Sequence, residues 1–365
     1  MTEVNGKNDV IRYDQPDLPT MSAGPVGATE STVDEEVDAE ADVAEAKRKS
    51  ALSWPRLIIS MAAGLAIGVA IILFVSPPVE QDIEQVVLAT RAPVYLIIAV
   101  LATFVLLAAD AWSLVVLVRV IRPEVVWWRV FGVTLEANLV GGATSFGGIE
   151  IPYQIVALRM LGLRLSEATS AVMVKGVMHT SVLVVAALMA FIPISGSPIT
   201  PLQRWILLGV LGSLLVLWVV GTLWTRKPLG LSLLPEPIRR RVRSFVEALS
   251  VFRTAGWDVM LKMIGLVFIY WVGMFSLIPL ILLALGYRGA LLPIIVGQAV
   301  LQVLMPLSPL PGGAGVAEFG YLELIGPSTP GSIRVASLIL WRILTWILPV
   351  ALGGLAMGLR GIKQK

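Results

Sequence analysis

From residue 57 onward the chain alternates long apolar runs with short polar punctuation. Leu57–Val75, Ala92–Val118, Ser166–Ile192, Trp205–Val220, Val259–Leu285 and Ile333–Leu359 are the apolar runs that stay unbroken. About 20 apolar residues in a helix cross the hydrocarbon layer of a bilayer. These six runs therefore predict spanning helices and an all-α polytopic membrane protein. Two further apolar stretches are interrupted midway, Val130–Gly162 by "GGATSFGG" and Leu291–Gly326 by "PLPGGAG". A first limb Val130–Val140 would be about 16 Å long as a helix, roughly half of what a crossing needs. Each interrupted stretch predicts a re-entrant hairpin made of a broken helix.

Charge sets the orientation. Lys and Arg collect on the cytoplasmic side of membrane proteins. Arg129 precedes the first interrupted stretch while Arg159 and Arg164 end it, which puts both ends on one side. The loop at about 224–257 carries Arg226, Lys227, Arg239, Arg240, Arg241, Arg243 and Arg253, whereas "FIPISGSPITP" and "GPSTPGS" are nearly uncharged. With two hairpins and six spans, that basic loop and both termini are cytoplasmic, and the plasma membrane is the expected site. The first hairpin then enters from inside and the second from outside. Internal similarity agrees with this inversion. "GGIEIPYQIVALRMLGLRLSEATSAVMVKG" lays onto "GGAGVAEFGYLELIGPSTPGSIRVASLILWR", with Gly147-Gly148 on Gly312-Gly313, Gly162 on Gly326, and Lys175 close to Arg342. Two inverted halves, about 92–192 and 259–359, are expected.

Composition narrows the chemistry. The chain has 365 residues, 56% hydrophobic and 15% charged, with mean hydropathy +0.84. A soluble domain carries about 25% charged residues. There is no cysteine and one histidine, so neither a disulfide framework nor a thiolate or multi-histidine metal site is available. No metal or cofactor is expected. Residues 1–50 hold 12 acidic against 5 basic residues and almost no large apolar side chain. Such a segment cannot bury enough surface to offset its ordering entropy and reads as a disordered, acidic cytoplasmic tail. The membrane domain proper is 51–365. The amphipathic stretch "IRRRVRSFVEALSVFR" suits the anionic inner leaflet better than nucleic acid.

Irregular backbone at membrane depth is tolerated where it lines protein or a watered cavity. Inverted repeats with broken helices are a transporter arrangement, in which half-helix amino ends aim N–H groups at an anion. Glycine lets backbone approach a ligand and proline stops each limb. Ionisable side chains within spans are costly and mark function. Lys175 lies ten residues into its span with His179 one turn on, and Arg342 lies ten residues into the last span. Two cations meeting one midplane site would suit a phosphodiester, the arginine in bidentate fashion. Glu150 and Glu318 follow the two breaks, and Asp110 and Glu136 lie in the first half. The competing reading is mutual ion pairing that holds the bundle together. Gln154 and Gln298 are expected as polar lining.

The segment "PLPGGAGVAE" resembles the signature Pro-x-Pro-Gly-Gly-x-Gly-x-x-Glu of the lysylphosphatidylglycerol synthase transmembrane (flippase-like) family. It matches at Pro309, Pro311, Gly312, Gly313, Gly315 and Glu318. In the first half Asn138 and Gly147-Gly148 fit, while Ser145 stands where proline is usual. The resemblance covers about residues 55–360. It implies a lipid flippase or a companion of a lipid-linked sugar pathway. No soluble aminoacyl-transferring domain follows in this chain, so lysyl-lipid synthesis is not expected.

Translocation of an anionic polar-headed lipid, a phospholipid or a polyprenyl-phosphate-linked sugar, is the first expectation. Its substrate site would comprise Lys175, Arg342, Glu150, Glu318, His179, Gln154, Asn138, Gly147, Gly148, Pro311, Gly312 and Gly313. The alternative is a non-transporting membrane partner of a cell-envelope lipid-modifying or lipid-linked glycosylation enzyme. An enzyme is disfavoured because the carboxylates are scattered singly.

Overall fold

The computed structural model describes residues 92–144, 149–188 and 256–363, with Ala62, Ala66 and Gly212 as isolated positions. The expected spans Leu57–Val75 and Trp205–Val220, the tail 1–50, most of the basic loop and Gly147-Gly148 lie outside the described residues. Every regular element among the described residues is helical.

Helix α1 is Pro93–Ile121, its proline placed at the first turn, where the missing N–H leaves no intrahelical bond unmade. Helix α2 is Trp127–Ala143, α3 is Glu150–Arg159 and α4 is Leu165–Leu188. Helix α5 is Trp257–Ala284, α6 is Leu292–Leu304 and α7 is Val316–Leu324. Helix α8, Gly331–Arg342, runs through a π turn at Ile343–Ile347 into α9, Leu348–Lys363. Four of these are long and apolar enough to cross a membrane: α1, α4, α5 and the continuous Gly331–Arg360. They coincide with four of the six expected spans.

The interrupted stretches are pairs of short helices. At 13 and 9 residues, α6 and α7 reach about 20 and 14 Å, well short of a bilayer. The first break falls later than the glycine pattern implies. Helix α2 continues through Gly141-Gly142 to Ala143. Those two glycines serve close packing instead: a Cβ on Gly141 would press on Glu150, and one on Gly142 would strike Val350 and the Trp346 indole.

Helices α1 and α5 share the largest interface, and α9 packs along α2. Other pairings are α1 with α2 and α4, α5 with α6 and α8, α4 with α6, and α2–α3 and α6–α7 within each interrupted stretch. The core holds Leu277, Ile281 and Ile294 together with Tyr321 and Trp341, all fully enclosed. The Tyr321 hydroxyl donates to Ser337 Oγ at 2.7 Å, so burial of that phenol leaves its proton satisfied.

Candidate functional site

Side chains from α1, α2, α3, α4, α5 and the last span surround a cavity of about 400 Å³. Its polar wall is Asp110, Asn138, Glu150, Gln154, Lys175 and His179. Asp110 and Lys175, 65 positions apart in the chain, meet in the fold: Lys175 Nζ stands 2.8 Å from Asp110 Oδ1. His179 Nε2 lies 3.6 Å from the same oxygen, too far for a hydrogen bond. That nitrogen and the Asn138 side-chain nitrogen are buried without a hydrogen-bond partner. Glu150 accepts from Gln154 Nε2 at 3.0 Å. The imidazole sits edge-on to Tyr270 at 4.8 Å between ring centres, and the Trp271 indole donates to the His179 carbonyl at 3.0 Å.

A second group of contacts closes the other break. Gly312, Gly313 and Gly315 have φ of 61°, 72° and 83°, a left-handed path that a side chain would strain. Ser308 Oγ donates to the Ala314 carbonyl at 2.7 Å and accepts from the Leu310 N–H at 3.2 Å, pinning the loop from within. The Gly315 N–H at the amino end of α7 donates to Glu318 at 2.7 Å. The expected anion donor is thus engaged by the helix's own carboxylate. Glu318 also holds Arg342 Nε at 2.9 Å, and Arg342 Nη1 donates to the Gly312 carbonyl at 2.8 Å. The guanidinium lies 4.7 Å over the Trp346 ring, whose N–H donates to the Gly142 carbonyl at 2.9 Å. The π turn is what brings Trp346 onto both glycines, one from each interrupted stretch.

Of the expected site residues, Lys175, His179, Glu150, Gln154 and Asn138 share the cavity wall. Arg342, Glu318, Pro311, Gly312 and Gly313 form the second group, and Arg342 is not on that wall. Gln298 donates to the Met274 carbonyl at 2.7 Å within the core, not at the cavity. Glu136 pairs with Arg360 at 2.9 Å and accepts from the Tyr153 hydroxyl. The residues that sequence reasoning did not place at the site are Asp110, Tyr270 and Trp271. Asp110 was conspicuous as the one acid in α1, but its partner could not be read from spacing.

Apolar helices of crossing length, with interrupted helices between them, define a multi-pass membrane protein, and charged side chains line a cavity among its helices. The chain belongs to the family of the lysylphosphatidylglycerol synthase TM region, whose profile matches residues 61–353. No curated protein matches the chain. Family membership points to a membrane function related to lipid.

Proposed function

We propose that the chain translocates a lipid with an anionic polar head across the plasma membrane, as a flippase or scramblase, with the head passing through the Asp110–Lys175 cavity. The single observation that carries this reading is a cavity of about 400 Å³ between spanning and interrupted helices, mostly apolar but with Asp110, Glu150 and Lys175 in its lining. Small-molecule sites occupy roughly 300–1,000 Å³, so the space suits a phosphate and a small hydroxylated head rather than a whole lipid. Lys175 supplies the cation for the phosphate, while Asn138 and Glu150 offer partners for head hydroxyls. The helix pairings support two related halves: exchanging α1–α4 for α5–α9 carries α4–α6 onto α2–α9, α1–α2 onto α5–α6 and α2–α3 onto α6–α7. On this reading the interrupted stretches are re-entrant hairpins, inverted in the membrane. Arg342 holds the second break, and a direct role for it on the lipid is secondary.

The test uses vesicles reconstituted with the full chain and fluorescent phosphatidylglycerol. Gly176 lines the cavity and an added Cβ there meets nothing within 4 Å. Gly176→Trp therefore should fold, fill the space and stop lipid movement. Undiminished movement in a folded Gly176→Trp protein would exclude this cavity as the path. A wild-type chain that moves no lipid would favour the partner role instead.

A further inference from the structure

The cavity has more carboxylates than cations. Lys175 faces both Asp110 and Glu150, and its short contact is with Asp110. A lipid phosphate that takes Lys175 leaves Asp110 without its cation in a space of low dielectric, where an unpaired charge is costly. One side chain stands ready to replace it. His179 is four residues beyond Lys175 on α4, on the same face. Its Nε2 lies 3.6 Å from the oxygen that Lys175 holds and has no hydrogen-bond partner. A proton on that nitrogen would convert a loose approach into an imidazolium–carboxylate pair.

Resting on the reading of this cavity as a lipid-phosphate site, we propose that phosphate binding at Lys175 is linked to uptake of one proton by His179, which takes over Asp110, so that movement of the lipid anion is proton-coupled. The step balances. Solvent supplies a proton to Nε2, the Lys175–Asp110 pair is exchanged for Lys175–phosphate and His179–Asp110, and the added negative charge is cancelled by the added proton. The groups around the imidazole are consistent with this exchange. Helix α1 presents Asp110, α3 presents Glu150 and Gln154, and α2 presents Asn138. Helix α5 presents Tyr270 and Trp271, which hold the ring and its backbone in place. Helix α6, packed on α4, has no titratable side chain. Lys175, on the same helix, disfavours an imidazolium while it stays on Asp110 and ceases to do so once the phosphate holds it. The exchange is thereby cooperative.

Dioctanoyl phosphatidylglycerol, whose phosphodiester does not titrate between pH 6 and 9, is the probe for the detergent-purified full chain. In weakly buffered solution with an indicator dye, binding should take up close to one proton per lipid. Linkage of one proton makes the dissociation constant rise roughly tenfold per pH unit through the linked range. His179→Gln should abolish both the uptake and the slope, and bind at pH 6 no more tightly than the wild type does at high pH. Asp110→Asn removes the carboxylate that needs the proton, so its binding should be tighter and flat with pH. These two variants move affinity in opposite directions, which a general loss of folding does not produce. Dioctanoylglycerol, lacking phosphate, should elicit no uptake. Equal uptake with the soluble phosphodiester glycerophosphoglycerol would reassign the site to soluble phosphate esters and overturn the lipid coupling. Lipid binding without proton uptake, or unchanged uptake in His179→Gln, would overturn the coupling and leave the translocation reading standing. Absence of lipid binding by the folded wild type at every pH would overturn both.

Discussion

Truncating the two buried cations should have different consequences, and the contrast separates framework from function. Arg342 and Glu318 have side chains 8% and 2% exposed, at 2.9 Å. Arg342→Ala leaves that carboxylate enclosed with only the Gly315 N–H, and removing one partner of a buried pair costs about 3–5 kcal/mol. Adding Glu318→Gln removes the uncompensated charge, and glutamine can still reach back to the helix cap. The Gly312 carbonyl remains without its donor, which keeps a residual cost of about 1–3 kcal/mol. The double variant should thus be more stable than the single by roughly 2 kcal/mol. Lys175 differs because its partner Asp110 has a second group at hand: His179 Nε2, 3.6 Å away, can take a proton and pair with the carboxylate in place of the lysine. Its removal should cost about 1.5–3 kcal/mol, the range for a charge-assisted hydrogen bond, yet lipid movement should be lost. Thermal unfolding followed by tryptophan fluorescence, with 11 tryptophans as reporters, gives the stability order. Vesicle translocation of fluorescent phosphatidylglycerol gives the activity. An Arg342→Ala protein as stable as the wild type, or a double variant no better than the single, would refute the assignment of Arg342 to the framework. A stable, fully active Lys175→Ala protein would refute the phosphate role of Lys175.

Two further outcomes follow from geometry and charge. Gly312→Ala should lower thermal stability by about 1–3 kcal/mol, since the new methyl meets the Trp346 indole at a backbone angle that L residues avoid, and an unchanged melting curve would show that the break adapts freely. Cysteines placed in "GPSTPG" at 326–331 should react with impermeant reagents from outside and those beside Arg240 only after permeabilisation; external labelling at Arg240 would reverse the proposed orientation.

What could be read in the sequence followed from length and hydropathy, which act locally. Helices α1, α4, α5 and the last span start within a few residues of the expected positions because a bilayer-length apolar run has few alternatives. The second break was equally visible, since three prolines and three glycines between 306 and 315 allow no continuous helix. Gly141-Gly142 misled for a physical reason. Glycine permits an irregular path, but it also permits close approach of two helices, and only the tertiary contacts to Glu150, Trp346 and Val350 decide which use applies. The pairing of cations was beyond spacing altogether. Lys175 and Arg342 occupy like depths in their spans, which placed them at one site, whereas their partners come from α1 and α7 respectively.

On the proposed reading of two related halves, that difference in partners bears on how the two can serve one function. In the second half the carboxylate that follows the break turns inward: Glu318 caps its own helix and clamps Arg342, so the break's charges and its amino-end N–H are consumed within the fold. In the first half the corresponding carboxylate, Glu150, stays half-buried on the cavity wall and accepts from the Gln154 amide, and the span's cation is taken by Asp110 instead. Substrate binding requires groups that can exchange partners, whereas a hinge or strut requires groups that cannot. On the proposed reading Arg342, held at Nε by Glu318 and at Nη1 by the Gly312 carbonyl although its Nη2 is buried without a partner, meets the second requirement, and the cavity-facing Lys175, with His179 beside its carboxylate, meets the first. Trp346 joins the two by binding the Gly142 carbonyl from beneath Arg342. A movement of the second break would therefore be felt at the end of α2, the helix that carries Asn138 to the cavity.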